Sequence, residues 1–144
     1  DVFIQERDAF FACFSKCYVY KYLYDPFGLQ YYLKKCISEN IVHYLTKYRL
    51  SAHRLAIEQG RYNQTVRSRR ICRFCTLNRI EDEYHFILEC PKYSHLRCIN
   101  IKNYYWSKPS CFKLVQLLSS RNKKQLNKLC IFLKKATEYR NNLL

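Results

Sequence analysis

The stretch Ile71-Cys72-Arg73-Phe74-Cys75-Thr76-Leu77-Asn78-Arg79-Ile80-Glu81-Asp82-Glu83-Tyr84-His85-Phe86-Ile87-Leu88-Glu89-Cys90-Pro91-Lys92-Tyr93 places Cys72, Cys75, His85 and Cys90 in a C-x2-C-x9-H-x4-C array. A zinc ion takes four soft or borderline ligands at tetrahedral corners: a C-x2-C turn supplies two thiolates from one tight loop, and a later His and Cys close the site. Four protein ligands leave no open position, so the array predicts a structural ion and not a zinc-activated water. On an unbroken α-helix, residues five apart, such as His85 and Cys90, point about 140° away from each other. Cys90, however, precedes Pro91, which disfavours α conformation at Cys90 and is itself suited to the first position of a new helix. A helix ending near Cys90 lets its thiolate turn back toward the imidazole. His95 and Cys98, on the helix expected after Pro91, are the substitute ligands.

Outward from this array the chain reads as helices. Phe3, Phe10, Phe14 and Cys17 recur at helical spacing and predict a helix over residues 3–22; Asp25-Pro26-Phe27-Gly28 is a turn, and a second helix starts near Leu29. Ser38 reads as the N-cap of a helix through Ile41, Leu45 and Tyr48, and Ser51 as the cap of another through Leu55 that Gly60 stops. Residues 61–70 are polar and basic without periodicity, which predicts a loop feeding the metal site. Glu81 or Asp82 begins a short helix carrying His85, and residues 91–102 are helical. Ser107-Lys108-Pro109-Ser110 is punctuation, residues 111–118 form a short apolar helix, and a last helix starts at Asn122 or Lys123. Its apolar stripe is Leu126, Leu129, Cys130, Leu133 and Ala136. The fold class predicted is therefore mainly α, a helical domain with an embedded CCHC zinc module. Residues 1–60 form an N-terminal helical part, 61–97 the basic loop and zinc module, and 98–144 the C-terminal helices, all in one compact unit.

With 144 residues, 49% of them hydrophobic, the chain is long enough for one shared core and is no disordered tail. No run approaches the length of a membrane span and no secretory signal opens the sequence. The absence of any Met suggests a fragment of a larger protein. Nine cysteines, an odd number, without an export signal point to a reducing, intracellular compartment; Cys13, Cys17, Cys36, Cys98, Cys111 and Cys130 read as small buried hydrophobes.

Twenty-six Lys and Arg against 11 acids give a formal charge of +15, which makes nucleic acid the default partner. A membrane surface would favour a single basic amphipathic stripe, whereas these charges spread along the whole chain. Arg61, Arg67, Arg69, Arg70, Arg73 and Arg79 fall in a segment without a single acid, and arginine suits bidentate contact with phosphate. The 14 tyrosines, and the run Tyr104-Tyr105-Trp106, could stack bases, although core packing is the commoner use of such rings. Glu81, Asp82, Glu83 and Glu89 read as caps and as balance for the basic loop. There is no glycine-rich phosphate loop, no Gly-x-Ser-x-Gly and no spaced aspartate pair for two-metal phosphoryl transfer, so no catalytic residues are expected.

Arg49-Leu50-Ser51-Ala52-His53, Glu58-Gln59-Gly60-Arg61-Tyr62, Cys72 with Cys75, the run of residues 81–93 and Leu96-Arg97 together resemble the tail that follows the reverse transcriptase in many animal non-LTR retrotransposon proteins. The resemblance implies a module of a larger polyprotein that copies element RNA into a nicked genomic target. Within it, this tail would contact template RNA or target DNA beside the polymerase core, in nucleus and cytoplasm. The family's ligand quartet falls on Cys72, Cys75, His85 and Cys90. The rival expectation is a structural or protein-interaction module that packs on the polymerase or on a host factor. Neither a membrane nor a small-molecule substrate is expected as partner.

Overall fold

A computed structural model describes residues 38–144. The helices expected over residues 3–22 and from Leu29, and the thiols Cys13, Cys17 and Cys36, lie outside them. The described elements are α1 (Glu39–Arg49), α2 (Ala56–Tyr62), a 3-10 turn (Arg67–Arg69), a π-helical turn (His85–Glu89), a second 3-10 turn (Pro91–Tyr93), α3 (Ser94–Asn100), α4 (Asn103–Trp106), α5 (Cys111–Leu118) and α6 (Lys123–Leu143). One antiparallel bridge, Ile71 to Ile80, is the only β pairing among the described residues. The architecture is mainly α with a Cys/His cluster embedded in it. Among the described residues no helix is long and apolar enough to cross a membrane.

Local chemistry sets several of these ends. Ser38 Oγ accepts the Asn40 N–H at 3.3 Å, Ser110 Oγ that of Lys113 at 3.1 Å, and Asn122 Oδ1 that of Gln125 at 3.1 Å, so each satisfies a donor the first helical turn leaves open. Leu126, Leu129, Cys130, Leu133 and Ala136 of α6 are all buried, joined by Phe132. Helices α1 and α3 pack on this stripe. Phe86 brings the metal region into the same core, stacked on Tyr48 at 5.1 Å between ring centroids and edge-on to Tyr93 at 4.7 Å.

Four expectations need correction. Ser51 caps no helix: it takes a left-handed φ of 55°, and its hydroxyl donates to Glu83 Oε1 at 2.9 Å. Helix α2 begins only at Ala56, whose N–H donates to Glu81 Oε1 at 2.7 Å, while the Ile57 N–H donates to the Glu81 carbonyl at 3.0 Å. A carboxylate distant in sequence thus does the work expected of Ser51. Gly60 does not stop α2 but lies inside it, where a Cβ would come within 2.5 Å of Arg70 Cγ and Cδ. Arg70 is held over it by bonds from Nε to the Thr65 carbonyl at 2.9 Å and from Nη1 to the Ile57 carbonyl at 3.1 Å.

Residues 61–70 are also not a plain loop, since Arg61 and Tyr62 complete α2 and Arg67–Arg69 form a 3-10 turn. Finally, Cys98 is exposed, unlike Cys111 and Cys130. Arg97 takes the inward position of α3, and the next residue on a helix points about 100° away from it. Burial pushes the Cys130 thiol up to about 12, as befits a packing residue.

The last helix is tied back to the metal region by one buried fork. Arg140 Nε and Nη2 donate to the two carboxylate oxygens of Glu81 at 2.9 and 2.8 Å, with the two side chains 8% and 2% exposed. Breaking a buried pair strands the remaining charge at a cost of about 3–5 kcal/mol. Glu81→Gln should therefore lower unfolding free energy by about 3–5 kcal/mol in a urea titration. Arg140→Met in the same background should recover part of that loss.

Candidate metal centre

A short knuckle presents the first two thiols. The bridge between Ile71 and Ile80 closes it, with the Cys72 N–H donating to the Arg79 carbonyl at 2.9 Å and the Glu81 N–H to the Arg70 carbonyl at 3.0 Å. Asn78, at φ 56°, supplies the left-handed turn residue, a role Asn tolerates better than most.

The other two ligands come from the helical turn that follows. Asp82 starts it as expected, its Oδ1 accepting the His85 N–H at 2.9 Å and its carbonyl the Phe86 N–H at 2.9 Å. The chain then widens into a π turn closed by the Cys90 N–H on the His85 carbonyl at 2.6 Å. Such i→i+5 winding is looser than an α-helix and brings residues five apart closer to one face. Cys90 leaves the turn in extended conformation, φ −62° and ψ 120°, and Pro91 opens the next one. The break anticipated from Cys90-Pro91 is thus present, and the wider winding assists it.

Arg97 secures the end of the turn. Its Nε donates to the Ile87 carbonyl at 2.7 Å, and Nη2 donates to the carbonyls of Cys90 at 2.9 Å and Phe86 at 3.3 Å. A helix end leaves such carbonyls without intrahelical partners, and here one buried guanidinium answers three.

The donor atoms of Cys72, Cys75, His85 and Cys90 lie within 4.8 Å of one another. Cys72 Sγ and Cys90 Sγ are 4.0 Å apart, and Cys75 Sγ and His85 Nε2 are 3.4 Å apart. Bonds of about 2.3 Å to sulfur and 2.0 Å to nitrogen at tetrahedral angles require edges of about 3.8 and 3.5 Å. The quartet is thus spaced to hold one tetrahedral metal ion. His85 Nδ1–H donates to Glu89 Oε1 at 2.7 Å, which directs the Nε2 lone pair at the cluster. His95 rests edge-on against Tyr139 at 5.2 Å and Cys98 is exposed, so neither substitute joins the quartet.

The four donors are coupled to one another: a hydrogen bond with Cys90 draws the Cys72 thiol down, against its burial, while the same bond and burial push Cys90 up. Burial would lower His85, but hydrogen bonds with Cys72 and Glu89 outweigh it and raise the ring to about 10. A metal binds thiolates and a neutral imidazole, so its affinity falls as the solution is acidified.

The acids expected as caps serve as caps, and they do so from the interior. Glu81, Asp82 and Glu83 are all buried: Glu81 binds Arg140 and caps α2, and Glu83 accepts from Ser51 and from His53 at 2.7 Å. The Leu55 N–H donates to His53 Nδ1 at 3.2 Å, so Nε2 is the atom that carries the proton toward Glu83.

Of the six arginines expected to bind nucleic acid, Arg69, Arg70 and Arg73 line a cavity of about 710 Å³ together with Arg54 and Arg140. Glu81, the acidic side chain in its wall, is matched by Arg140, against which stand four further arginines. Arg54, Arg69 and Arg73 are exposed, whereas Arg70 is fixed by backbone carbonyls. Arg61, Arg67 and Arg79 do not line it; Arg61 pairs instead with Glu58 of its own helix at 3.3 Å. Sequence reading missed Arg54 and Arg140, since nothing local links them to the basic run.

Glu89→Gln keeps all four ligands while weakening the acceptor behind His85. Metal affinity measured by chelator competition should fall by about 10–100-fold, the usual effect of losing such a partner.

No protein family, curated protein or solved structure matches the chain.

Proposed function

We propose that the chain is a zinc-stabilised nucleic-acid-binding module of a retrotransposon reverse transcriptase, contacting template RNA or target DNA during target-primed reverse transcription. The observation that carries this reading is the arginine-lined cavity built directly on the Cys/His knuckle, with Arg73 inside the C-x2-C turn and Arg69 and Arg70 leading into it. Guanidinium groups match phosphate oxygens bidentately and lose little solvation in doing so. The resemblance of residues 49–97 to the retrotransposon tail supplies the biological setting, including the polymerase core of the same polyprotein as partner and a site of action in nucleus and cytoplasm.

Zinc is the ion the donor set favours. Three thiolates and an imidazole at tetrahedral spacing suit it, whereas magnesium and calcium prefer oxygen ligands in larger shells. With every corner taken by protein, the ion would hold the knuckle in shape, and Arg54, Arg69 and Arg73 would meet the ligand.

The test has two arms. Cys72→Ser with Cys75→Ser should abolish zinc content and disorder residues 71–90, because a structural site of this kind contributes about 10–16 kcal/mol to folding; zinc retained at full stoichiometry would sink the metal assignment. Arg54→Glu, Arg69→Glu and Arg73→Glu together should flatten the dependence of log K on log salt by about 0.7–0.9 for each phosphate no longer neutralised. An unaltered slope would place binding elsewhere. A chain that binds no oligonucleotide but co-purifies with a polymerase core would favour the rival reading of a protein-interaction module.

A further inference from the structure

A second cavity, of about 400 Å³, is formed by the end of α3, by α4 and by the first turns of α6, and it shares no residue with the arginine cavity. Its charges are Lys102, Lys124 and Lys128, all exposed, and no acid lines it. Trp106 is part of its wall; the indole N–H donates inward to the Ile101 carbonyl at 2.9 Å, which fixes the ring and uses its only polar atom within the fold. Amides complete the lining. Asn100 spends its NH2 on the Leu96 carbonyl at 3.0 Å, leaving its side-chain oxygen, and Asn103 and Asn122 stand beside it.

We propose that this cavity is a second nucleic-acid site, which takes an unpaired base against Trp106 and the adjoining phosphates on Lys102, Lys124 and Lys128. The inference rests on the reading of the chain as a nucleic-acid binder but makes no use of the arginine cavity. A base presents a π face for the indole and edge donors and acceptors for the amides, and its strand presents phosphates at the rim. In a duplex the base faces are already stacked on neighbours, so a single strand is the form that fits. The volume lies within the range of about 300–1,000 Å³ usual for ligand sites. An acidic peptide would satisfy the lysines, and its backbone the amides, but aspartate and glutamate offer no flat face to the ring.

Trp106 is the chain's only tryptophan, so emission excited at wavelengths beyond the absorption of the 14 tyrosines reports on this cavity. The full chain, loaded with zinc, is titrated with an oligothymidylate of about ten nucleotides, with a duplex of equal length, with an abasic strand and with polyglutamate. The single strand is expected to quench Trp106 emission saturably and the other three are not. Trp106→Ala should weaken binding of a labelled strand by about 5–150-fold, read by anisotropy. Because that variant removes packing as well, Lys124→Glu with Lys128→Glu is the companion at exposed positions; it should flatten the single-strand salt slope by about 0.7 for each phosphate no longer neutralised. Quenching that persists in the Arg54→Glu, Arg69→Glu, Arg73→Glu variant would separate this site from the arginine cavity and support the proposal. Strand binding seen by anisotropy with Trp106 emission unchanged would overturn it and leave the proposed function standing. Equal quenching by duplex or polyglutamate would overturn the single-strand occupant, and no binding by either readout would overturn both readings.

Discussion

The Glu81 carboxylate is the constraint on which the rest of this arrangement turns. Its two oxygens receive a guanidinium fork from α6 and a backbone N–H from the start of α2, while its own N–H closes the metal knuckle on the Arg70 carbonyl. Three segments far apart in sequence are fixed by one residue, two of them by its side chain. An apolar substitute of similar volume could match or exceed such a buried pair in stability, because desolvating two charges costs nearly what their attraction returns. A hydrocarbon could not, however, present acceptors in two directions at once. The specificity of the junction depends on that geometry.

The features legible in the sequence are those whose causes are local. Ser38 and Asn122 cap the helices they precede, Ser110 ends the punctuation before α5, Asp82 starts the turn that carries His85, and the α6 stripe is buried as its spacing requires. The quartet was legible for the same reason, since C-x2-C and a proline after Cys90 constrain the chain within a few residues. Illegible features are those decided by partners distant in sequence. Ser51 looks like a cap until Glu83 claims its hydroxyl, and Gly60 looks like a stop until Arg70 lies across it. Helix α4, within Asn103–Trp106, is too short to show a period at all.

Arginines illustrate the same divide between composition and placement. A formal charge of +15 suggests a uniformly positive surface, yet Arg49, Arg97 and Arg140 are buried. Arg49 donates to the Leu118 carbonyl, Arg97 to three carbonyls of the π turn, and Arg140 to Glu81. Five donors in a planar fork let one buried side chain satisfy several backbone acceptors, which lysine cannot do with the same geometry. Much of the arginine content therefore serves the interior, and the acid-free run of residues 61–79 is divided in the same way.

That division bears on how the arginine cavity would recognise phosphate. Arg70 cannot swing out to a ligand without losing the Thr65 and Ile57 carbonyls, so it contributes a fixed field, while Arg54, Arg69 and Arg73 keep exposed side chains. A stationary charge backed by Gly60 and by the knuckle requires no reorganisation on binding, and ordering costs fall only on the three exposed arms. Preorganisation of this sort raises affinity by reducing what association must spend on immobilising side chains. Cys72 and Cys75, which flank Arg73 in the knuckle closed by Ile71 and Ile80, extend the same logic to the backbone. Loosening of that turn would leave the arginines in the sequence but would scatter the field they make together.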